Sequence, residues 1–214
     1  MVIEVRLKHV KGAAESVEKS SYVILEEEAY KGKMQSLFIN KSPLHIEIGM
    51  GKGNFIIENA KRYPHINFIG IEKYDSVIIR AIQKLEEEKL DNLKLIRMDA
   101  THIDKVFEKE VDTIYLNFSD PWPKDRHAKR RLSSSTFLKR YDSIFSKEKK
   151  IVMKTDNRHL FEYSLQSFTE YGYHIKELSL DLYKDCYPDN IATEYEEKFH
   201  TMGYPIYRVS VNKK

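Results

Sequence analysis

PLHIEIGMGKGNF, residues 43–55, decides the fold. Its first part, LHIEIGM (44–50), is an apolar run of strand length, and Gly49, Gly51 and Gly53 then recur at every second position before a helical pattern opens near Asn54. A strand that passes through such a loop into a helix begins a βαβ unit, because glycine lets the backbone turn tightly and approach a ligand closely. The pattern repeats downstream. NFIGIE (67–72), LKLIRMD (93–99), DTIYLNF (112–118), KKIVMKT (149–155), YHIKEL (173–178) and IYRVSVN (206–212) bring the candidate strands to seven. Between the second and third, DSVIIRAIQKLEEEKL aligns Val77, Ile78, Ala81, Ile82 and Leu85 on one helical stripe. SSSTFLKRYDSIF reads as a serine-capped helix buried through Phe137, Leu138, Tyr141, Ile144 and Phe145, and another helix runs from Arg158 to Tyr171 and stops at Gly172. Strands alternating with helices predict an α/β, Rossmann-like fold: a mostly parallel seven-stranded sheet with helices on both faces. The last two strands have no obvious long helix between them, which predicts an antiparallel, hairpin-like end with the last strand reversed. Residues 1–40, of mixed charge and little periodicity, read as an N-terminal arm ahead of one domain at 41–214.

The bulk composition fits this reading and excludes others. A chain of 214 residues, 41% hydrophobic and 32% charged, can bury a full single-domain core. No apolar run approaches the roughly 20 residues that span a bilayer, and MVIEVRLKHVKGAAES lacks the apolar centre of a secretory signal. The lone Cys186 cannot form an internal disulfide, and the histidines have no companions at metal-ligand spacing. The expectation is a cytoplasmic protein with no membrane association and no metal.

In a doubly wound sheet, ligands bind beyond the carboxyl ends of the strands. Glu47 lies two residues before the first loop glycine, Glu72 ends the second strand, and Asp99 ends the third. Each alone reads equally as a solvated strand end. Together beside a glycine loop they fit a nucleoside, with Glu72 placed for ribose hydroxyls and Asp99 for an adenine amino group. A dinucleotide fits poorly: G-x-G-x-x-G would need glycine where Asn54 stands, and Glu47 would repel a pyrophosphate. The electrostatics favour a cationic cofactor, S-adenosylmethionine (SAM).

The fourth strand leads into SDPWPKDRHAKRR (119–131), where Lys124, Arg126, Lys129, Arg130 and Arg131 face only Asp120 and Asp125. That local excess equals the net charge of the whole chain, +3, so the positive charge is concentrated at one place and predicts a polyanionic partner. Pro121 and Pro123 restrict Asp120 and Trp122 to extended backbone, stiffening a loop that offers an acid and an aromatic beside cations. Such a group suits an extruded base with its phosphates nearby. The plainer readings are a rigid turn with Trp122 as core filler and a solvated helix entry at Lys129–Arg131.

KGKMQSLF (31–38), PLHIEIGMGKGNF, FIGIE (68–72), YLNFSDPWPKDRHAKRR (115–131), KTDN (154–157) and TEYEEKF (193–199) together resemble the bacterial tRNA (guanine-N7)-methyltransferases. The resemblance runs from about Tyr30 to Tyr207 and implies a class I SAM-dependent methyltransferase forming N7-methylguanine at position 46 in the tRNA variable loop. It implies that Glu47, the glycine loop, Glu72, Asp99 and Asp120 contact SAM, with Asp120 also catalytic. Lys124, Asp156, Thr193, Glu194, Tyr195 and Glu196 would contact the substrate, and Arg126, His127, Lys129, Arg130 and Arg131 the RNA. Two positions depart from the family: RLKHVKGA replaces a basic segment containing Pro-Trp, and Met34 replaces a tryptophan.

The chemistry agrees. Guanine N7 has a free lone pair, so its methylation needs placement and charge stabilisation but no deprotonation. Asp156 also reads as a helix cap, and Thr193 as the cap of a helix burying Tyr195, Phe199 and Met202. Two other functions fit less well. Ser-Asp-Pro-Trp resembles the loop of exocyclic-amine methyltransferases, but Trp122 and Pro123 stand in the wrong order. An RNA-binding module with a vestigial pocket would not need the intact glycines and acids. The expected assembly is a monomer, with a dimer left open.

Overall fold

A computed structural model describes residues 12–214; most of the departing RLKHVKGA stretch lies outside the described residues. Among the described residues, seven strands form one sheet in the order β3-β2-β1-β4-β5-β7-β6. They are β1 (Leu44–Ile48), β2 (Asn67–Glu72), β3 (Leu93–Arg97), β4 (Val111–Asn117), β5 (Phe145–Thr155), β6 (His174–Ser179) and β7 (Tyr207–Lys213). β1 to β5 pair in parallel, and β7 pairs antiparallel with both β5 and β6. The reversed last strand is as expected. It is inserted between β5 and β6 rather than added at the end, so β6 becomes the edge.

Alternation along the strands feeds two cores. Ile46, Ile69, Ile71 and Ile114 face a cluster with α4 (Ile103–Val106), α5 (Ser135–Ile144) and α6 (Arg158–Glu170). Phe68, Leu93 and Leu95 face the other way, toward α1 (Ala13–Lys19), α2 (Asn54–Arg62) and α3 (Asp75–Glu88). Each such fully buried aliphatic or aromatic side chain contributes about 1.5–3 kcal/mol. The α3 stripe buries Ile79 and leaves Val77 half-exposed. Ser134 holds the N-cap position of α5 but its hydroxyl donates to Lys129 O instead of capping, and Phe145 already belongs to β5.

Residues 12–40 pack on this frame. Val17 on α1 is buried, Ile24 N donates to Leu95 O at 2.9 Å, and Leu95 N donates to Tyr22 O at 2.9 Å. Met34, the substituted tryptophan position, is fully buried, and its N–H donates to Glu110 at 2.9 Å. The remaining helix, α7 (Glu194–Thr201), joins β6 to β7 at the carboxyl end of the parallel strands.

Candidate active site

The parallel strands deliver their acids to one end of the sheet. Glu47 on β1 is 1% exposed; its Oε1 accepts a 2.8 Å hydrogen bond from Asn117 at the end of β4. Glu47 Oε2 and Asn117 Oδ1 are buried acceptors with no donor among the described residues. Burial pushes the Glu47 carboxyl up to about 8, against the Asn117 hydrogen bond and the Lys154 charge; Glu72 adds to the rise. Glu72 is also buried, and accepts from Gly51 N at 3.1 Å, Lys73 N at 2.8 Å and Tyr74 N at 3.1 Å. Burial raises its pKa, those N–H groups oppose the rise, and the negative charge of Asp120 reinforces it. Glu72 therefore bears on Glu47, and Asp120 on Glu72.

The glycine loop lies against these acids. Gly49 (φ 77°) and Gly51 (φ 58°) occupy the left-handed region, and a Cβ on either would point into open space. Asp99, just beyond β3, binds Lys73 Nζ at 2.6 Å, Thr101 N at 2.9 Å and Thr101 Oγ1 at 2.8 Å. The lysine foremost holds it well below the usual carboxylate range. Buried orphan acceptors, clustered acids and an open backbone cradle suit a cationic ligand with N–H donors. The residues fit SAM.

The Asp120 loop departs from expectation. Phe118 (φ 49°) and Trp122 (φ 41°) both adopt left-handed backbone, which costs a bulky residue about 1–3 kcal/mol. Trp122 is thus not extended, despite Pro123. Hydrogen bonds compensate: Phe118 N donates to Lys154 O at 2.8 Å, and Arg131 donates to Pro121 O and Trp122 O, each at 3.1 Å. Trp122 is half-buried, with the Arg130 guanidinium 4.6 Å over its ring and His127 edge-on at 5.8 Å. It is not core filler. Asp120 and Lys124 are exposed, as are Arg126, Lys129 and Arg130, and His127 is partly so. Arg131 is the correction to the expected RNA grip: it is 2% exposed because its guanidinium serves the loop.

Asp156, directly after β5, is half-buried, and burial raises its pKa. It does not cap α6; Asn157 does, accepting from Leu160 N at 2.8 Å. Thr193 caps α7, accepting from Glu196 N at 2.9 Å. Glu194 pairs with Lys52 at 3.0 Å and Lys84 at 3.1 Å. The buried residue of α7 is Glu196, at 0% exposure; Tyr195 (45%) and Met202 (51%) are exposed, contrary to the expected apolar face. Glu196 is ion-paired with the buried Lys154, which withdraws it from direct substrate contact. Sequence reasoning missed Lys154 and Asn117. Their signal was a charge directly after the apolar run Ile151–Met153 and an amide directly after Leu116.

A doubly wound sheet with a reversed last strand, a glycine loop after β1 and buried acids on β1 and at the end of β2 defines a class I SAM-dependent methyltransferase. Solved structures match at the level of fold: an antibiotic-related methyltransferase aligns over 89% of this chain and 95% of its own at a TM-score of 0.68 and 17% identity. A SAM-dependent methyltransferase from Aquifex aeolicus aligns over 94% and 96% at 0.57 and 11%. The family described as "Putative methyltransferase" matches residues 41–209. The tRNA (guanine-N(7)-)-methyltransferase of Lachnoclostridium phytofermentans is 52% identical over 206 residues, 95% of this chain and 96% of that protein. The Bacillus subtilis protein of the same name is 50% identical over 208 residues, 96% and 98% of the two chains. The chain belongs to the bacterial tRNA (guanine-N7)-methyltransferase family, and its cofactor is SAM.

Proposed function

We propose that this protein methylates N7 of the guanine at position 46 in the variable loop of tRNA, in the cytoplasm. The observation that carries the reading is the buried Glu47–Asn117 pair, whose Oε2 and Oδ1 have no donor among the described residues, at the end of the sheet where β4 leads into an exposed basic segment. When bound, SAM supplies an electrophilic methyl group. Glu47 and Asn117 would hold the cationic end, Glu72 the ribose, Asp99 the adenine, and the backbone of Gly49, Gly51 and Gly53 would border the ligand. Asp120 would accept a hydrogen bond from the guanine edge and offset the positive charge that accumulates on the purine. No residue need remove a proton first, since N7 presents a lone pair. Lys124, Asp156 and Tyr195 would orient the base, with Thr193, Glu194 and Glu196 building the α7 wall that carries Tyr195. The proposed assembly is a monomer. Replacing the guanine of position 46 by adenosine in a tRNA transcript tests the positional assignment: methyl acceptance should vanish, and retained acceptance would place the target elsewhere.

Two further results are expected. Neutralising Arg126, Lys129 and Arg130 together should raise the KM for tRNA and flatten its salt dependence, because fewer phosphate counterions are released. Unchanged salt dependence would make these residues a solvated surface. The second result concerns pH. Glu47, pushed by burial to about 8, must ionise to face a cation, so binding below that pH releases a proton. SAM affinity should rise with pH by up to about tenfold per unit and level off beyond that value. Calorimetry of wild type against Glu47→Gln isolates this component, which the variant should lack.

A further inference from the structure

We propose that Arg131 is a positioning residue for methyl transfer, fixing from below the backbone loop that presents Asp120. This rests on the reading of Asp120 given above. Pro121 and Pro123 carry no N–H, so the loop cannot be held by a regular ladder, and its carbonyls need donors from outside. Arg131 supplies them, from Nε to Pro121 O and from Nη2 to Trp122 O, each at 3.1 Å. These are the carbonyls of the two residues directly after Asp120. A planar guanidinium offers both donors in one rigid fork, which a lysine ammonium cannot reproduce.

The arginine is itself fixed. It is 2% exposed, its guanidinium lies 4.2 Å from the centre of the Tyr163 ring on α6, and its carbonyl accepts from Ser134 N at 2.9 Å. Trp122, held at φ 41°, would relax without that grip. Arg131 thus differs from its neighbours in kind: Lys129 and Arg130 are exposed, whereas Arg131 is spent on backbone carbonyls and has no reach to a phosphate.

Trp122 is the only tryptophan in the chain, so its fluorescence reports on this loop alone. Arg131→Lys should shift Trp122 emission, increase its quenching by acrylamide, and lower kcat about tenfold or more at saturating SAM and tRNA. The slope of log KM for tRNA against log salt should stay at the wild-type value. In an Asp120→Asn background the same substitution should cost little further rate, since both act through one group. Tyr163→Leu, which removes the ring under the guanidinium from a half-exposed position, should move emission and kcat the same way by less, and serves if Arg131→Lys does not fold. A lowered salt slope with unchanged Trp122 emission would make Arg131 a phosphate contact and overturn the proposal. Unchanged emission and kcat in both variants would overturn it equally. If Asp120→Asn keeps wild-type kcat, the functional reading of Asp120 fails; altered emission with lost kcat in Arg131→Lys would still support Arg131 as the residue that sets the loop.

Discussion

Asp120→Asn is expected to lower kcat by roughly 10²-fold or more at saturating SAM and tRNA, the cost of removing one preorganised electrostatic group. Asparagine keeps the size of the side chain and one acceptor oxygen, replaces the other by an NH2 donor, and removes the charge. If Asp120 only helped to bind SAM, the substitution would raise the SAM KM and leave kcat nearly intact. If it offsets charge on the methylated purine, the interaction strengthens toward the transition state, and saturation cannot restore the rate. Asp120 follows β4 at the end of the sheet that carries Glu72, and its negative charge adds to the rise in the Glu72 pKa. Single-turnover transfer by both proteins, with both ligands saturating, separates the cases. A variant as fast as wild type would reduce Asp120 to a binding residue.

Glu196→Ala is expected to destabilise the protein by about 3–5 kcal/mol, the cost of leaving one partner of a buried ion pair uncompensated. Lys154, 2% exposed, is held by Glu196, by Ile191 O at 2.8 Å and by Asn190 Oδ1 at 3.2 Å. Burial lowers the Lys154 pKa and the Glu196 charge opposes that fall, so the pair is mutually dependent. The pair also joins α7 to the end of β5, next to the Lys154 carbonyl that fixes Phe118. The midpoint of denaturant unfolding should therefore fall sharply, with a smaller fall for Glu196→Gln. Wild-type stability in Glu196→Ala, combined with a raised KM for tRNA, would return Glu196 to the list of direct substrate contacts.

The elements were legible because apolar period and strand-end chemistry are local properties. LHIEIGM, NFIGIE and the glycine loop announce β1, β2 and the turn between β1 and α2, and the acids fall at strand ends because there the chain leaves the sheet. What was not legible depends on contacts between distant residues. The insertion of β7 beside β5 is set by pairing across 50 or so residues of chain, which no local pattern encodes. In Lys129-Arg130-Arg131 nothing in composition tells the inward arginine from its exposed neighbours; the difference arises from carbonyls that two prolines leave without partners. Glu196 reads from the sequence as a substrate contact, and only Lys154, 42 residues away, makes it a buried partner instead. Met34 reaches the core from a short 3₁₀ turn and Phe38 from the extended residue after it, and neither has a helical stripe to read.

Nucleoside analysis of unmodified tRNA after reaction with methyl-labelled SAM tests the central claim most directly. The account predicts label in 7-methylguanosine alone, and its loss when Asp120 is replaced by asparagine. Label on an exocyclic amino group, or SAM binding without transfer to tRNA, would contradict it.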